Sequence, residues 1–351
     1  MILILGVTAS GKGRLAFDLA ESMGAEIISI DSMKVYRRIN IGTGKPPDEA
    51  RRRIKCHLID IVEPSESFSV GAFLDAALHA IEQIRSHNRP VVAVGGTALY
   101  IKALLYGLFE GPPSDEQMRT RLKAEAQAKG LDELHRRLRE IDPDAAQRIH
   151  PNDAKRIIRA LEVHQITGRP ISSLQQQWPQ GTGRTSEVGD RQSSIENRVS
   201  SIEYRVSSIE HRESSIEHRE SRIEHRESSH NWTIIGLRRE KAEENKRINA
   251  RTRRMIDAGL VDEVKALLAE DRPLSKQARC AIGYAEIIEH LTGLTTLEEA
   301  VELIKRNTRR LAKGQRTWFK TFKNVNWLDI DTEEPAEKIL DRAKTLLKDA
   351  R

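Results

Sequence analysis

Four short stretches of the chain are apolar almost without interruption: residues 2–5 (ILIL), 26–30 (EIISI), 91–94 (VVAV) and 232–237 (WTIIGL). Runs of this length, bounded by glycine or a polar residue, predict strands covered on both faces of a parallel sheet. A helical pattern from Arg14 to Met23 separates the first two. Strands alternating with helices predict an α/β fold. Ligands in such sheets bind beyond the carboxyl ends of the strands. The turn at Gly6, Asp31 after the second run and Thr97 after the third all fall there.

From Pro112 to about Leu174 strand signals vanish and charged helical periodicity takes over, as in RIIRALEV at 156–163. The predicted organisation is an α/β core over 1–111, a helical insertion over 112–185, a low-complexity insertion over 186–230, the second part of the core over 231–330 and a C-terminal helix over 331–351. Within the low-complexity part, Ile195, Ile202, Ile209, Ile216 and Ile223 recur every seven residues in a unit close to SSIEHRE. A coiled coil needs two apolar positions per heptad. The later copies have one, and Glu210, Glu213, Glu217, Glu220, Glu224 and Glu227 line up as a like-charge stripe. This segment is expected to be a solvated insertion, disordered or marginally helical. His211, His218 and His225 recur with the unit and are expected to be solvated rather than metal ligands.

Composition adds little to the fold but narrows the partners. A formal charge of +6 fits a polyanionic partner. No apolar run approaches the roughly 20 residues needed to span a bilayer, so no membrane association is expected. The two cysteines, Cys56 and Cys280, form no disulfide framework and indicate a reducing, cytoplasmic compartment. Each is expected to be a small buried hydrophobe.

The strongest chemical signal is GVTASGKG at 6–13, between a predicted strand and a predicted helix. Gly6, Thr8, Ala9, Ser10, Gly11, Lys12 and Gly13 form a P-loop pattern, in which backbone N–H groups and the helix start cradle phosphate oxygens and the lysine adds a cation. Gly13 stands where such loops carry a serine or threonine that ligates Mg²⁺, so that direct ligand is missing. The fold class predicted is a P-loop NTPase-like parallel sheet core with an inserted all-helical domain.

Further segments narrow the phosphate chemistry. They are DSMKVY at 31–36, IGTGKP at 41–46, HLID at 57–60, GGTALY at 95–100, IHPND at 149–153, Arg156, RALEV at 159–163 and Gly168. After the repeat come Arg247, Arg251, GLV at 259–261, IGY at 282–284, Gln315, Thr317 and Trp318. In these segments, and in their order, the chain resembles the tRNA dimethylallyltransferases, the MiaA-type isopentenyltransferase family. The resemblance implies transfer of a dimethylallyl group from dimethylallyl diphosphate to the exocyclic amine of the adenosine 3′-adjacent to a tRNA anticodon. It implies Mg²⁺ as cofactor, a flipped-out adenine and a helical insertion that grips the anticodon stem-loop; a monomer is expected. By the resemblance Asp31 is the general base, Thr97 and Arg251 complete the catalytic set, and residues 6–13 with Lys12 hold the diphosphate. It places Asp31, Ser32, Met33, Lys34, Thr97, Arg119, Lys155, Arg156 and Arg159 against tRNA; no metal ligand is assigned.

The chain departs from the family pattern at Gly13, at Lys34 where a glutamine usually stands, at Cys56 in place of histidine and at Gly314 in place of arginine. A charged lysine lacks the acceptor of an amide side chain. Three other readings share parts of the pattern: a prenyltransferase acting on free adenine nucleotides, a P-loop small-molecule kinase, and a tRNA-binding protein with a decayed site. Arg156 and Arg159 also fit surface ion pairs with Asp153 or Glu162.

Overall fold

The structure, a computed structural model, describes residues 1–108, 111–175 and 231–349. The repeat over 186–230 lies outside them. Two compact units divide the chain: Met1–Tyr106 with Ser228–Arg351, and Gly107–Glu227.

The first unit is built on a six-stranded sheet, all parallel. Its strands are β1 (Ile2–Gly6), β2 (Glu26–Ile30), β3 (Cys56–His57), β4 (Val91–Gly95), β5 (Thr233–Arg238) and β6 (Val325–Asp329), in the order β3-β2-β4-β1-β5-β6. The largely apolar runs reflect burial of both sheet faces. Leu3, Leu5, Ile28 and Ile30 face one helix layer with Phe73 and Ile101. Ile2, Ile4 and Ile27 face the other, with Leu15, Leu19 and Ile339. Strand periodicity of two sends alternate residues to opposite cores.

The flanking helices of this unit before the insertion are α1 (Lys12–Met23), α2 (Asp48–Arg53), α3 (Val70–Ser86) and α4 (Ala98–Tyr106). The second unit holds α5 (Glu116–Lys129), α6 (Leu131–Ile141), α7 (Pro143–Arg148), α8 (Ala154–Thr167) and α9 (Ile171–Leu174) around Leu122, Leu138, Ile157 and Leu161. Asp115, Asp142 and Asp153 cap α5, α7 and α8 through their carboxylates.

After β5 the chain adds α10 (Lys241–Asp257), α11 (Leu260–Leu268), α12 (Lys276–Arg279), α13 (Tyr284–Leu291) and α14 (Leu297–Phe319), then α15 (Ala336–Asp349) after β6. Helices α11 to α14 enclose Val35, Tyr36 and Ile39 from the loop after β2. That loop is fastened further by the Glu263 carboxylate, which accepts the N–H groups of Asn40 and Ile41 and the Tyr284 hydroxyl. Lys45 and Arg51 both bind Asp60. The segment following Asp31 is thus irregular but anchored along its length. No described helix is long and apolar enough to cross a membrane.

Candidate active site

The P-loop follows β1 and delivers its last residues into the start of α1. Ala9 and Gly11 both take left-handed backbone, at φ 63° and 99°. That conformation costs a non-glycine residue roughly 1–2 kcal/mol, so Ala9 must be held. Two arginines from the far half of the chain do so. Arg247 Nε donates to Ala9 O and Arg239 Nε to Ser10 O, each at 2.9 Å. In a trans peptide the N–H points opposite to the C=O. Drawing the Ser10 carbonyl toward Arg239 therefore turns the Gly11 N–H to the other side of the loop. The amides of Ala9 and Gly11 have no acceptor among the described residues.

Gln315 ties this loop to the end of β4. Its Oε1 accepts the Thr8 N–H and its Nε2 donates to Gly96 O, both at 2.9 Å. A Cβ at Gly96 would lie 2.5 Å from Gln315 Nε2, so a larger residue there would displace the bridging amide. The next residue, Thr97, accepts the Ser32 N–H through its hydroxyl at 3.1 Å. Asp31 Oδ1 accepts the N–H groups of Met33 and Lys34 at 2.9 and 3.2 Å, which leaves Oδ2 for another donor. Arg251 reaches across from α10 to the Thr8 hydroxyl at 3.3 Å and Thr43 O at 3.1 Å. Lys12 Nζ folds back on Val7 O at 3.1 Å. The sequence-predicted residues of the core thus meet at the carboxyl ends of β1, β2 and β4.

Positive charge prevails among the titratable groups here. Burial, then the charge of Lys34, push the Lys12 ammonium down to about 7, with Asp31 opposing and Arg251 adding. Burial lowers Lys34 too; Asp31 opposes that shift and Arg251 reinforces it. Arg251 is lowered by burial first, with Asp31 opposing and Arg254 adding. Three cations therefore crowd one carboxylate, and a polyanion relieves the crowding.

Side chains that could hold a divalent metal are few. Gly13 is exposed and offers no side-chain oxygen, with nothing within 4 Å of where a Cβ would stand. Ser10 Oγ is wholly buried and takes the Lys12 N–H at 3.4 Å. Thr8 Oγ1 is engaged by Arg251. Among the described residues no group of three or more His, Cys, Asp or Glu could hold a metal ion. These residues do not form a protein cage for Mg²⁺.

In the helical unit, Glu162 is completely buried and accepts from Asp115 N, Arg119 and Arg159. Burial alone would raise its pKa, but Arg159, Arg119 and the Asp115 N–H outweigh it and hold the carboxyl below the usual range. Glu162 is therefore not the surface partner the sequence allowed. Arg156 lies 3.4 Å from Asp153 and is half exposed. Lys155 neighbours it at the start of α8.

Comparison with known proteins decides the family. A model described as IPP transferase matches residues 34–212 and 201–322. The chain belongs to the IPP transferase family. Among relatives, the tRNA dimethylallyltransferase of Geobacter metallireducens is 39% identical over 329 residues, covering 94% of this chain and 92% of that protein. That of Thermotoga maritima is 38% identical over 343 residues, covering 97% and 96%. The crystal structure of the full-length tRNA isopentenylpyrophosphate transferase of Bacillus halodurans shares 34% identity at a TM-score of 0.63, covering 99% of this chain and 96% of that one. A eukaryotic dimethylallyltransferase acting on tRNA, at 22% identity and a TM-score of 0.72, supports the fold alone.

Within this IPP transferase the residues around the P-loop go beyond its motif. Arg239 carries no motif signal. Arg247 lies four residues before Arg251 and so on the same face of α10; in the sequence it stood out only within the family resemblance. Of the cysteines, Cys56 is half-buried, and burial pushes its thiol up to about 11 despite Arg51 and Lys34. Cys280 is exposed, which corrects the expectation of two buried cysteines: it ends the short helix α12 at the surface.

Proposed function

We infer that this chain transfers a dimethylallyl group from dimethylallyl diphosphate to the exocyclic amine of the adenosine next to a tRNA anticodon, on its 3′ side. Family membership supports the reaction. The observation that supports the residue roles is the meeting of Asp31, Thr97, the P-loop, Lys12 and Arg251 at adjacent strand ends.

In this reading the amide groups of Ala9 and Gly11, with Lys12 and Arg251, bind the diphosphate. The adenosine amine attacks the first carbon of the dimethylallyl group. A carbon–nitrogen bond forms as the carbon–oxygen bond breaks, and its electron pair leaves on the diphosphate. Asp31 Oδ2 takes the proton released from the amine. Thr97 keeps the Asp31 segment in register with β4 through Ser32. Members of the family use Mg²⁺ with the diphosphate; here the side chains that neutralise the leaving group are the cations.

The tRNA contacts proposed are Asp31, Ser32, Met33, Lys34 and Thr97 in the core, and Lys155, Arg156, Arg119 and Arg159 in the helical unit. Arg119 and Arg159 have a structural duty to Glu162 besides. We read the enzyme as a cytoplasmic monomer: one chain supplies every residue named, and the lack of a disulfide at Cys56 and Cys280 fits a reducing compartment. The test is incubation with labelled dimethylallyl diphosphate and either unmodified tRNA or free AMP. Label in tRNA supports this function. Label in AMP alone would move the chain to the free-nucleotide prenyltransferases, and label in neither would leave a tRNA-binding protein.

A further inference from the structure

We propose that Arg239 is a positioning residue for the diphosphate: it braces the P-loop against the segment beyond β6, so that the C-terminal part of the chain sets the shape of the phosphate cradle. The inference rests on the diphosphate site described above.

Arg239 directly follows β5, and its guanidinium joins two carbonyls. Nε donates to Ser10 O and Nη1 to Asp331 O, both at 2.9 Å. Nη2 lies beside the loop as well, since a Cβ at Gly11 would stand 3.7 Å from it. A planar fork of this kind fixes the separation of the groups it holds. Its own backbone is fastened next door: Arg238 O accepts the Ile330 N–H at 2.8 Å, and the Arg238 side chain pairs with Asp329 across β5 and β6. The far carbonyl is held too. The Asp331 N–H donates to Glu334 at 3.3 Å, and the buried Glu334 carboxylate accepts from Arg342 at 2.8 Å. Arg342 also donates to Asp329 O at 3.0 Å. It lies on α15, whose Ile339 and Ala343 share a core with Leu15 and Leu19 of α1. The P-loop and the helix it opens are thus attached to one C-terminal segment at two points.

The first attachment bears on binding. Ser10 O belongs to the peptide whose other end is the Gly11 N–H, so the partner of the carbonyl sets the direction of the amide. That N–H has no acceptor among the described residues and stands next to Lys12. A phosphate cradle works through N–H groups already aimed at the anion. Gly11 resists a peptide flip weakly, because glycine enters left- and right-handed basins alike. Arg239 supplies the resistance from the carbonyl side of the loop. It acts through the loop and does not touch the anion.

The test is calorimetric binding of inorganic pyrophosphate, with donor KM, kcat and tRNA affinity alongside, for the full chain as wild type, Arg239→Met, Arg239→Lys and Glu334→Ala. Arg239→Met should lose about tenfold or more in pyrophosphate affinity, the order for a hydrogen bond made by a charged group. Donor KM should rise with that loss, kcat at saturating donor should change less, and tRNA affinity should stay within a few-fold. Arg239→Lys keeps the charge but cannot span both carbonyls, so its affinity should fall between the two. Glu334→Ala separates bracing from charge. Loss of a carboxylate would by charge alone tighten anion binding, whereas loosening the Asp331 turn should weaken it a few-fold. If Arg239→Met does not fold, Arg239→Lys and Glu334→Ala carry the comparison. Unchanged pyrophosphate affinity in folded Arg239→Met, full wild-type affinity in Arg239→Lys, or unchanged or tighter binding in Glu334→Ala overturns the proposal. So does an equal loss of pyrophosphate and tRNA affinity, the result of a general loosening of the fold. Failure of the wild type to bind pyrophosphate overturns the diphosphate site itself.

Discussion

The side-chain amide of Gln315 accepts the Thr8 N–H and donates to Gly96 O, joining the P-loop to the end of β4 across more than 200 residues of sequence. Both halves of the candidate chemistry depend on that bridge: the phosphate cradle lies on one side and Thr97 on the other. Gln315→Ala leaves a buried N–H and a carbonyl unpartnered, at about 1–3 kcal/mol. The expected outcome is a lowered melting temperature together with a higher KM for the prenyl donor and a lower kcat, with tRNA affinity within a few-fold of wild type. Wild-type kinetics from a folded variant would remove Gln315 from the site.

Lys12 gives a pH signature. Its ammonium is lowered to about 7, first by burial and then by Lys34. In the free protein it therefore loses its proton as pH rises through 7. A bound diphosphate favours the charged form and raises that value, so binding above pH 7 should take up a proton. Pyrophosphate affinity is expected to fall from pH 6 to pH 9, after allowance for the anion's own titration. Calorimetry in buffers of different ionisation heat measures the uptake directly. Lys12→Met should abolish the Lys12 component of uptake; uptake unchanged in that variant would contradict the assignment.

Glu162 should behave as a structural anchor. Its pKa is lowered: burial would raise it, but Arg159, Arg119 and the Asp115 N–H prevail. The stability it contributes is present above the ordinary glutamate value of about 4.3 and is lost as acid titrates it through its lower folded value. Removing the charge of a buried pair costs about 3–5 kcal/mol. Glu162→Gln is expected to destabilise the helical unit at neutral pH, with a smaller difference from wild type in acid. Limited proteolysis and thermal unfolding at both pH values check it. Unaltered unfolding would release Arg119 and Arg159 from Glu162 and return them to tRNA contact alone.

These particulars show what a sequence can and cannot display. Strands β1, β2, β4 and β5 are legible because burial on both faces makes them predominantly apolar, with Glu26 and Ser29 as buried exceptions in β2. β3 has only two residues, too few for any period, and β6 carries Asn326 and Asp329 because edge strands have one neighbour to pair with. The P-loop, Asp31 and Thr97 were legible as loops after apolar runs. The bonds from Arg239 and Gln315 were not, since both end on backbone atoms that look alike at every residue. Glu162 was misleading for a different reason. It follows Leu161 in a charged helix, and only its complete burial shows that it faces inward with the apolar residues.

The role of Asp31 is where the account is most exposed. Asp31→Asn keeps an oxygen for the Met33 and Lys34 N–H groups but cannot take the amine's proton. The decisive measurement is single-turnover prenyl transfer to bound tRNA by wild type and Asp31→Asn, with tRNA and pyrophosphate affinities measured alongside. The expected result is a fall in the chemical rate of roughly 10²–10⁴, the range for a positioned base, with both affinities within a few-fold. Transfer at near wild-type rate by the variant would contradict the account.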